Sequence, residues 1–252
     1  MNLSKFYNDK IRLGYHPIAS VNLKRGFLKS LVSYDDRFVT VIKYLEKLIA
    51  GLYKKEKIKV LDIGIGDGVY ERLLSAESLH KVDLYGIDIS KNQIKRAEKF
   101  IKEGKVVDLD NQNIPYKSNT FDLIIISEIL EHVFYPENIL NEAYRVLRSG
   151  GKMLITFPNS GALQLRLSLF LTGRSPLLNY TKNKEHIRFF DKGDVLTAFI
   201  TKPKVLYHQG LSSFVFDKWD FPVKIITPRI AEIIGNIWMP RLALGNLLIL
   251  KK

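Results

Sequence analysis

Val60-Leu61-Asp62-Ile63-Gly64-Ile65-Gly66-Asp67-Gly68 decides the fold. Residues 59–63 form a short apolar run of strand type, three glycines follow at alternate positions, and helical spacing begins at Val69. Glycine at such a turn lets the backbone take positive φ and approach a bulky ligand closely, while the amides that open the next helix face that ligand. A dinucleotide site spaces its glycines G-x-G-x-x-G so that a helix dipole meets a pyrophosphate. Here the third glycine comes one residue too early. The alternate spacing, with a carboxylate at Asp62, suits a ligand with a cationic amino-acid end and no phosphate.

Outward from this turn, strand and helix signals alternate. Apolar runs at 82–87, 105–107, 121–126 and 152–157 follow the first strand. Helical stretches are expected at 69–79, 91–102 and 137–147, the last closed by Gly150-Gly151. Alternation of this kind predicts a parallel sheet with helices on both faces. Asp88 ends the second run, 20 residues past Gly68, where an acidic side chain can accept both hydroxyls of a ribose. A leading helix capped by Asp35 or Asp36 is expected to place Phe38, Val41, Ile42, Leu45, Leu48 and Ile49 on one face and to end at Gly51. After Pro158 the rhythm changes to a partly helical insertion over 159–190. A helix at 191–200 and strands at 204–208 and 245–250 follow, separated by a long aromatic and apolar segment.

The chain has 252 residues, no cysteine and a net charge of +13. Disulfides, thiolate metal sites and cysteine nucleophiles are therefore excluded, and no metal is expected. No stretch reaches the roughly 18 apolar residues that span a bilayer, and no signal-peptide core precedes residue 59, so the expected address is cytoplasmic, with peripheral membrane contact left open. Residues 1–59 carry 13 basic and 5 acidic groups, 60–150 carry 11 and 15, and 151–252 carry 15 and 6. Two basic flanks thus enclose an acidic centre, and an anionic partner would be met on the flanks; a solvated lysine-rich surface is the competing reading.

Residues 62–68, Asp88, 110–116, 121–132 and 146–159 together resemble the class I S-adenosylmethionine-dependent methyltransferases, over about 100 consecutive residues in matching order. The resemblance implies one α/β domain over 1–252. It would be a doubly wound, Rossmann-like, seven-stranded and mostly parallel sheet with its last strand antiparallel. Its parts are a leading segment (1–57), a cofactor half (58–158), a lid or insertion (159–190) and a terminal part (191–252). It also implies S-adenosylmethionine as cofactor: Asp62, Gly64, Gly66 and Gly68 around the methionine part, Asp88 with Ile89 on the ribose, and Asp110 with the Asn111 amide on the adenine. Ser127 would line the cofactor through its backbone. Asp108 competes with Asp110 for the adenine position, and the spacing to Ile114-Pro115-Tyr116 favours Asp110. The segment Ser127-Glu128-Ile129-Leu130-Glu131-His132-Val133 is similar to that of quinone-biosynthetic O-methyltransferases. His186-Ile187-Arg188-Phe189-Phe190 looks like a segment of methyltransferases tied to methionine metabolism, natural products and surface glycans.

For the chemistry, His132 is the candidate general base, since it follows the fourth strand at the ligand-binding edge of an open sheet and imidazole titrates near neutrality. A helix-capping role competes with it. Glu128 is expected in the cofactor pocket or on a helix surface, and Glu131 in solvent. His186 and Arg188, with Lys182 and Lys184, are candidates for an anionic group of the substrate, and Phe189-Phe190 is expected to anchor the insertion. The apolar patch 163–171 reads as a lid helix before it reads as a lipid-touching surface. The expected reaction is methyl transfer to a hydroxyl, less readily an amine, of a small molecule, glycan or lipid-linked acceptor. A nicotinamide-dependent reductase and a non-catalytic module binding nucleic acid or protein are the alternatives, and the glycine spacing with Asp62 and Asp88 argues against both.

Overall fold

A computed structural model describes residues 36–54, 56–174, 186–211 and 240–252. Helix α1 (Asp36–Leu52) precedes β1 (Ile58–Ile63), α2 (Val69–Leu73), α3 (Ala76–His80), β2 (Val82–Asp88), α4 (Lys91–Ala97) and β3 (Glu103–Val106). Then come β4 (Phe121–Ser127), α5 (Pro136–Val146), β5 (Leu147–Pro158), α6 (Leu163–Thr172), α7 (Lys192–Thr197), β6 (Lys204–Leu211) and β7 (Gly245–Lys251). Single 3-10 turns lie at Leu130–His132 and Pro240–Leu242. The seven strands form one sheet in the order β3-β2-β1-β4-β5-β7-β6. The first five pair in parallel, and β7 runs antiparallel between β5 and β6. This is the seven-stranded, mostly parallel sheet expected.

Alternation along the central strands divides the core. On one face Val60, Leu123, Ile125 and Leu154 pack with Val41, Leu45, Leu48 and Ile49 of α1. On the other, Leu61, Ile63, Ile124, Ile126 and Ile155 pack with Ile139, Leu140, Ala143 and Val146 of α5 and Val195 near the terminal strands. Residues 121–126 of β4 are all buried. A near-continuous apolar strand is what burial on both faces of a parallel sheet requires.

Several boundaries differ from the sequence expectation. The helix expected at 69–79 divides, because Leu74 is extended and the Ser75 hydroxyl accepts the Ser78 amide, an N-cap that starts α3 afresh. α1 runs past Gly51 to Leu52. α4 stops at Ala97, and β3 begins two residues early, at Glu103. Gly104 lies so close to α4 that a Cβ there would come within 2.9 Å of Ile94. Gly150-Gly151 does not close α5, which ends at Val146. Both lie within β5, where pairing with β4 jumps from Phe121↔Leu147 to Leu123↔Lys152 and Gly150 takes φ 76°. α7 is shorter than expected, but Asp191 and Asp194 form a reciprocal capping box at its start. The leading residues 1–35, Lys182, Lys184 and most of the aromatic segment before β7 lie outside the described residues.

Candidate active site at the carboxyl ends of the strands

Strand order reverses between β1 and β4, and open α/β sheets bind ligands at such a switch point, beyond the carboxyl ends of the strands. The glycine turn lies there. Gly64, Gly66 and Gly68 have φ of 76°, 57° and 76°, a conformation that side chains with a Cβ rarely adopt. The turn is braced against β2: the Gly64 and Ile65 amides both donate to the Ile87 carbonyl (2.8 and 3.1 Å), and the Gly68 amide to the Ile65 carbonyl (3.1 Å). The three glycines then differ. A Cβ on Gly64 would lie 2.1 Å from Ile129 Cδ1, and one on Gly68 3.5 Å from Ala97. A Cβ on Gly66 would meet nothing within 4 Å. Gly64 is therefore needed for packing, whereas Gly66 borders open space where a ligand fits. Gly86, not singled out from the sequence, also serves this turn, since a Cβ there would come within 2.5 Å of Ile65.

Asp88 closes the turn from β2. Its Oδ2 accepts the Gly66 amide (2.9 Å) and its Oδ1 the Ser90 amide (2.7 Å). Burial pushes its pKa up, and the Ser90, Gly66 and Ile89 amides oppose that shift. At the floor of the site two carboxyls meet, both almost fully buried: Asp62 (3% exposed) and Glu71 (2%), the latter in α2. Burial, then the neighbouring Glu71 charge, pushes Asp62 well above the usual carboxyl range, and burial pushes Glu71 up to about 7. Glu71 Oε2 has no hydrogen-bond partner among the described residues. A buried acidic pair at the glycine turn, with Glu71 Oε2 3.7 Å from where a Cβ on Gly68 would lie, fits a cationic group. Glu71 was missed in the sequence, where an acidic residue in a helix's first turn reads as a partner of the helix dipole. The adjacent Asp67 is paired with Arg72 at 3.1 Å.

Ser127, at the end of β4, is bound on both sides: its hydroxyl is 2.7 Å from Tyr70 Oη and 2.8 Å from Thr156 Oγ1. Its side chain thus ties α2, β4 and β5 together. Asp110 Oδ1 accepts the amides of Phe134 (2.8 Å) and Tyr135 (3.3 Å), which fixes the loop after β3 to the turn after β4. The Asn111 amide donates to the Asp108 carbonyl (3.1 Å), and Asp108 accepts from the Asn111 side chain (2.9 Å) within the same loop. Of the two carboxylates competing for the adenine position, Asp110 is the one joined to the β4 turn.

That turn carries the acceptor-side candidates. Glu128 has φ 54°, rare for a non-glycine residue, and its amide donates to the Thr156 carbonyl (3.0 Å). Such strain accumulates at functional sites. Ile129 then packs onto Gly64, and the chain turns through Leu130–His132. Glu131, expected in solvent, is buried to 1% exposure. A single 3-10 turn has no sequence period from which its inward side could be read. The carbonyl of Glu131 accepts the amides of Ile187 (2.9 Å) and Arg188 (3.2 Å), and the Arg188 guanidinium donates to the Phe134 carbonyl (2.8 Å). This brings His186 beside His132, ring centroids 4.9 Å apart and edge to face. His132 Nε2 lies 3.8 Å from Glu131 Oε1. One donor atom each of Glu131, His132 and His186 falls within a 4.8 Å cluster. Phe190 bridges to Asn159, just past β5, and packs on the core, which anchors the segment, whereas Phe189 of the expected anchoring pair is exposed. Arg188 is exposed and holds the turn through a backbone carbonyl. α6, the expected lid helix, follows β5 and leaves Phe170 85% and Leu171 62% exposed. No helix of the described residues is long and apolar enough to cross a membrane.

Known proteins resemble this chain in part of its sequence and in its fold. Residues 61–155 match the family model of a methyltransferase domain. An uncharacterised protein of Methanocaldococcus jannaschii is 31% identical over 138 residues, 55% of this chain and 56% of that protein. The demethylmenaquinone methyltransferase of Thermotoga maritima is 28% identical over 113 residues, 45% and 49% of the two chains. The chain thus spans about half the length of the curated relatives it matches. Among solved structures, an S-adenosylmethionine-dependent methyltransferase of Mesorhizobium loti superposes with TM-score 0.54 at 16% identity, over 81% of this chain and 95% of that one, a likeness of fold.

Proposed function

We propose that the chain, whose residues 61–155 match a methyltransferase domain, is a class I S-adenosylmethionine-dependent methyltransferase that transfers a methyl group from that cofactor to a hydroxyl of a small molecule, glycan or lipid-linked acceptor. The observation that carries this reading is the glycine turn. It has three left-handed glycines, an open side at Gly66, and a floor of buried carboxyls at Asp62 and Glu71. The cofactor supplies a methyl group on a sulfonium, displaced in line by the acceptor. Asp62, with Glu71 behind it, faces the cationic methionine end; Asp88 beside Ile89 accepts the ribose hydroxyls while keeping its two backbone donors. Asp110 and the Asn111 region border the adenine, and the Ser127 backbone lines the cofactor.

Positioning is the main contribution of such a site, because holding the reacting groups in line is worth about 7–11 kcal/mol in effective molarity. His132 stands on the turn beyond β4, where the acceptor's hydroxyl would be activated, and His186 and Arg188 border the same place. The lid helix α6, with exposed Phe170 and Leu171, favours an acceptor with an apolar part or a peripheral lipid contact. Acceptor screening by release of S-adenosylhomocysteine tests the reading. Release that depends on a hydroxyl-bearing acceptor and falls at least about tenfold in His132→Ala supports it. Release from no acceptor, with the cofactor bound, would overturn it.

A further inference from the structure

We propose that Glu131, His132 and His186 form a binding site for a divalent metal ion of the zinc class, at the mouth of the cofactor site. Two imidazoles and one carboxylate are the donor set of catalytic zinc sites, which leave a further position open for water or substrate. The three donor atoms already lie within 4.8 Å of one another. Two ligands held about 2.1 Å from one ion sit at most about 4.2 Å apart, so side-chain rotation on the order of 1 Å completes the site.

The arrangement is held from outside, as metal sites are. The Glu131 carbonyl takes the amides of Ile187 and Arg188, which fixes the residue after His186 to the turn that carries the other two ligands. The Arg188 guanidinium on the Phe134 carbonyl and the Phe190 bridge to Asn159 hold the same segment just after His186. Ligands therefore come from two segments more than 50 residues apart in sequence, joined by two backbone hydrogen bonds and one from the Arg188 side chain. Glu131 is 1% exposed, whereas the His132 side chain keeps 18% exposure, which leaves the histidine side of the cluster open.

This inference rests on the methyltransferase reading for its role, and it changes how His132 acts. The acceptor hydroxyl would ligate the ion, which lowers the hydroxyl's pKa. Its proton leaves to water, its oxygen forms the bond to the methyl carbon, and the carbon–sulfur bond breaks with its electron pair remaining on sulfur. His132 is then a ligand, and no free imidazole base is needed.

The test uses the full chain, stripped with a chelator and titrated with Zn2+ by calorimetry and with Co2+ by visible absorption. One equivalent of Zn2+ is expected to bind, with a Co2+ d–d band, and Glu131→Gln and His186→Ala should each weaken binding at least about tenfold. Titration of S-adenosylmethionine into the same variants reports folding and the cofactor site independently and should be unchanged. No Zn2+ binding by the unsubstituted chain, or binding equally strong in both variants, would overturn the metal site while leaving the methyltransferase reading intact. Loss of S-adenosylmethionine binding by the unsubstituted chain would overturn that reading instead.

Discussion

Gly66 separates the ligand from the fold, so Gly66→Ala is the most informative single substitution. Its left-handed φ of 57° makes a Cβ cost about 1–2 kcal/mol, but nothing within 4 Å obstructs it. A domain of this size loses about 2–4 °C per kcal/mol, so Tm should fall by about 2–8 °C and the protein should remain folded. The methyl would stand in the space assigned to the cofactor. Overpacking by one carbon costs about 1–3 kcal/mol, hence a Kd for S-adenosylmethionine raised about 5- to 150-fold. Gly66→Val should abolish binding. Gly64→Ala is the contrasting case, because its Cβ would lie 2.1 Å from Ile129 Cδ1 and the side chain must move; its Tm should fall further than that of Gly66→Ala. Calorimetric titration and thermal denaturation of the three variants measure both effects. If Gly66→Ala bound the cofactor as tightly as the unsubstituted protein, the ligand would not lie against this turn.

Three further outcomes follow from the site. Glu71 keeps its proton in the folded state up to about pH 7, whereas the unfolded chain loses it near 4.5, so stability should decline as pH rises through that window. Glu71 contributes a loss on the order of 3 kcal/mol, to which Asp62 and Asp88, also raised by burial, add; Glu71→Gln should make the decline shallower in urea titrations, and an unchanged slope would show that Glu71 is not among its sources. Asp88→Asn turns an NH2 toward one of two backbone donors now 2.9 and 2.7 Å away. It should cost about 1–3 kcal/mol of stability and weaken cofactor binding, whereas binding at full strength would remove Asp88 from the ribose. His132→Ala should lower turnover at least about tenfold with cofactor affinity unchanged, and full turnover on the true acceptor would return the residue to a structural role.

The cofactor half was legible because close approach leaves a mark in residue identity. Gly64, Gly66 and Gly68 have to be glycine for conformational reasons, and Asp88 ends a strand whose apolar pattern is unmistakable. The sheet order followed from the same alternation. Features that depend on tertiary contact left weaker marks. Glu131 reads as a surface residue until the strand-like segment after His186 folds against its carbonyl, and Glu71 gains meaning only when α2 places it on Asp62. The break at Ser75 had a signal, a serine three residues before Ser78, but helical periodicity on both sides obscured it. The segment 212–239, whose composition follows no period, offered no such mark and lies outside the described residues.

The account rests most directly on which ligand the glycine turn accepts, and calorimetric titration of the full chain with S-adenosylmethionine and, separately, NADH decides it. One equivalent of S-adenosylmethionine bound, with binding lost in Gly66→Val and no heat from NADH, is the predicted result. Tight binding of NADH without binding of S-adenosylmethionine would contradict it.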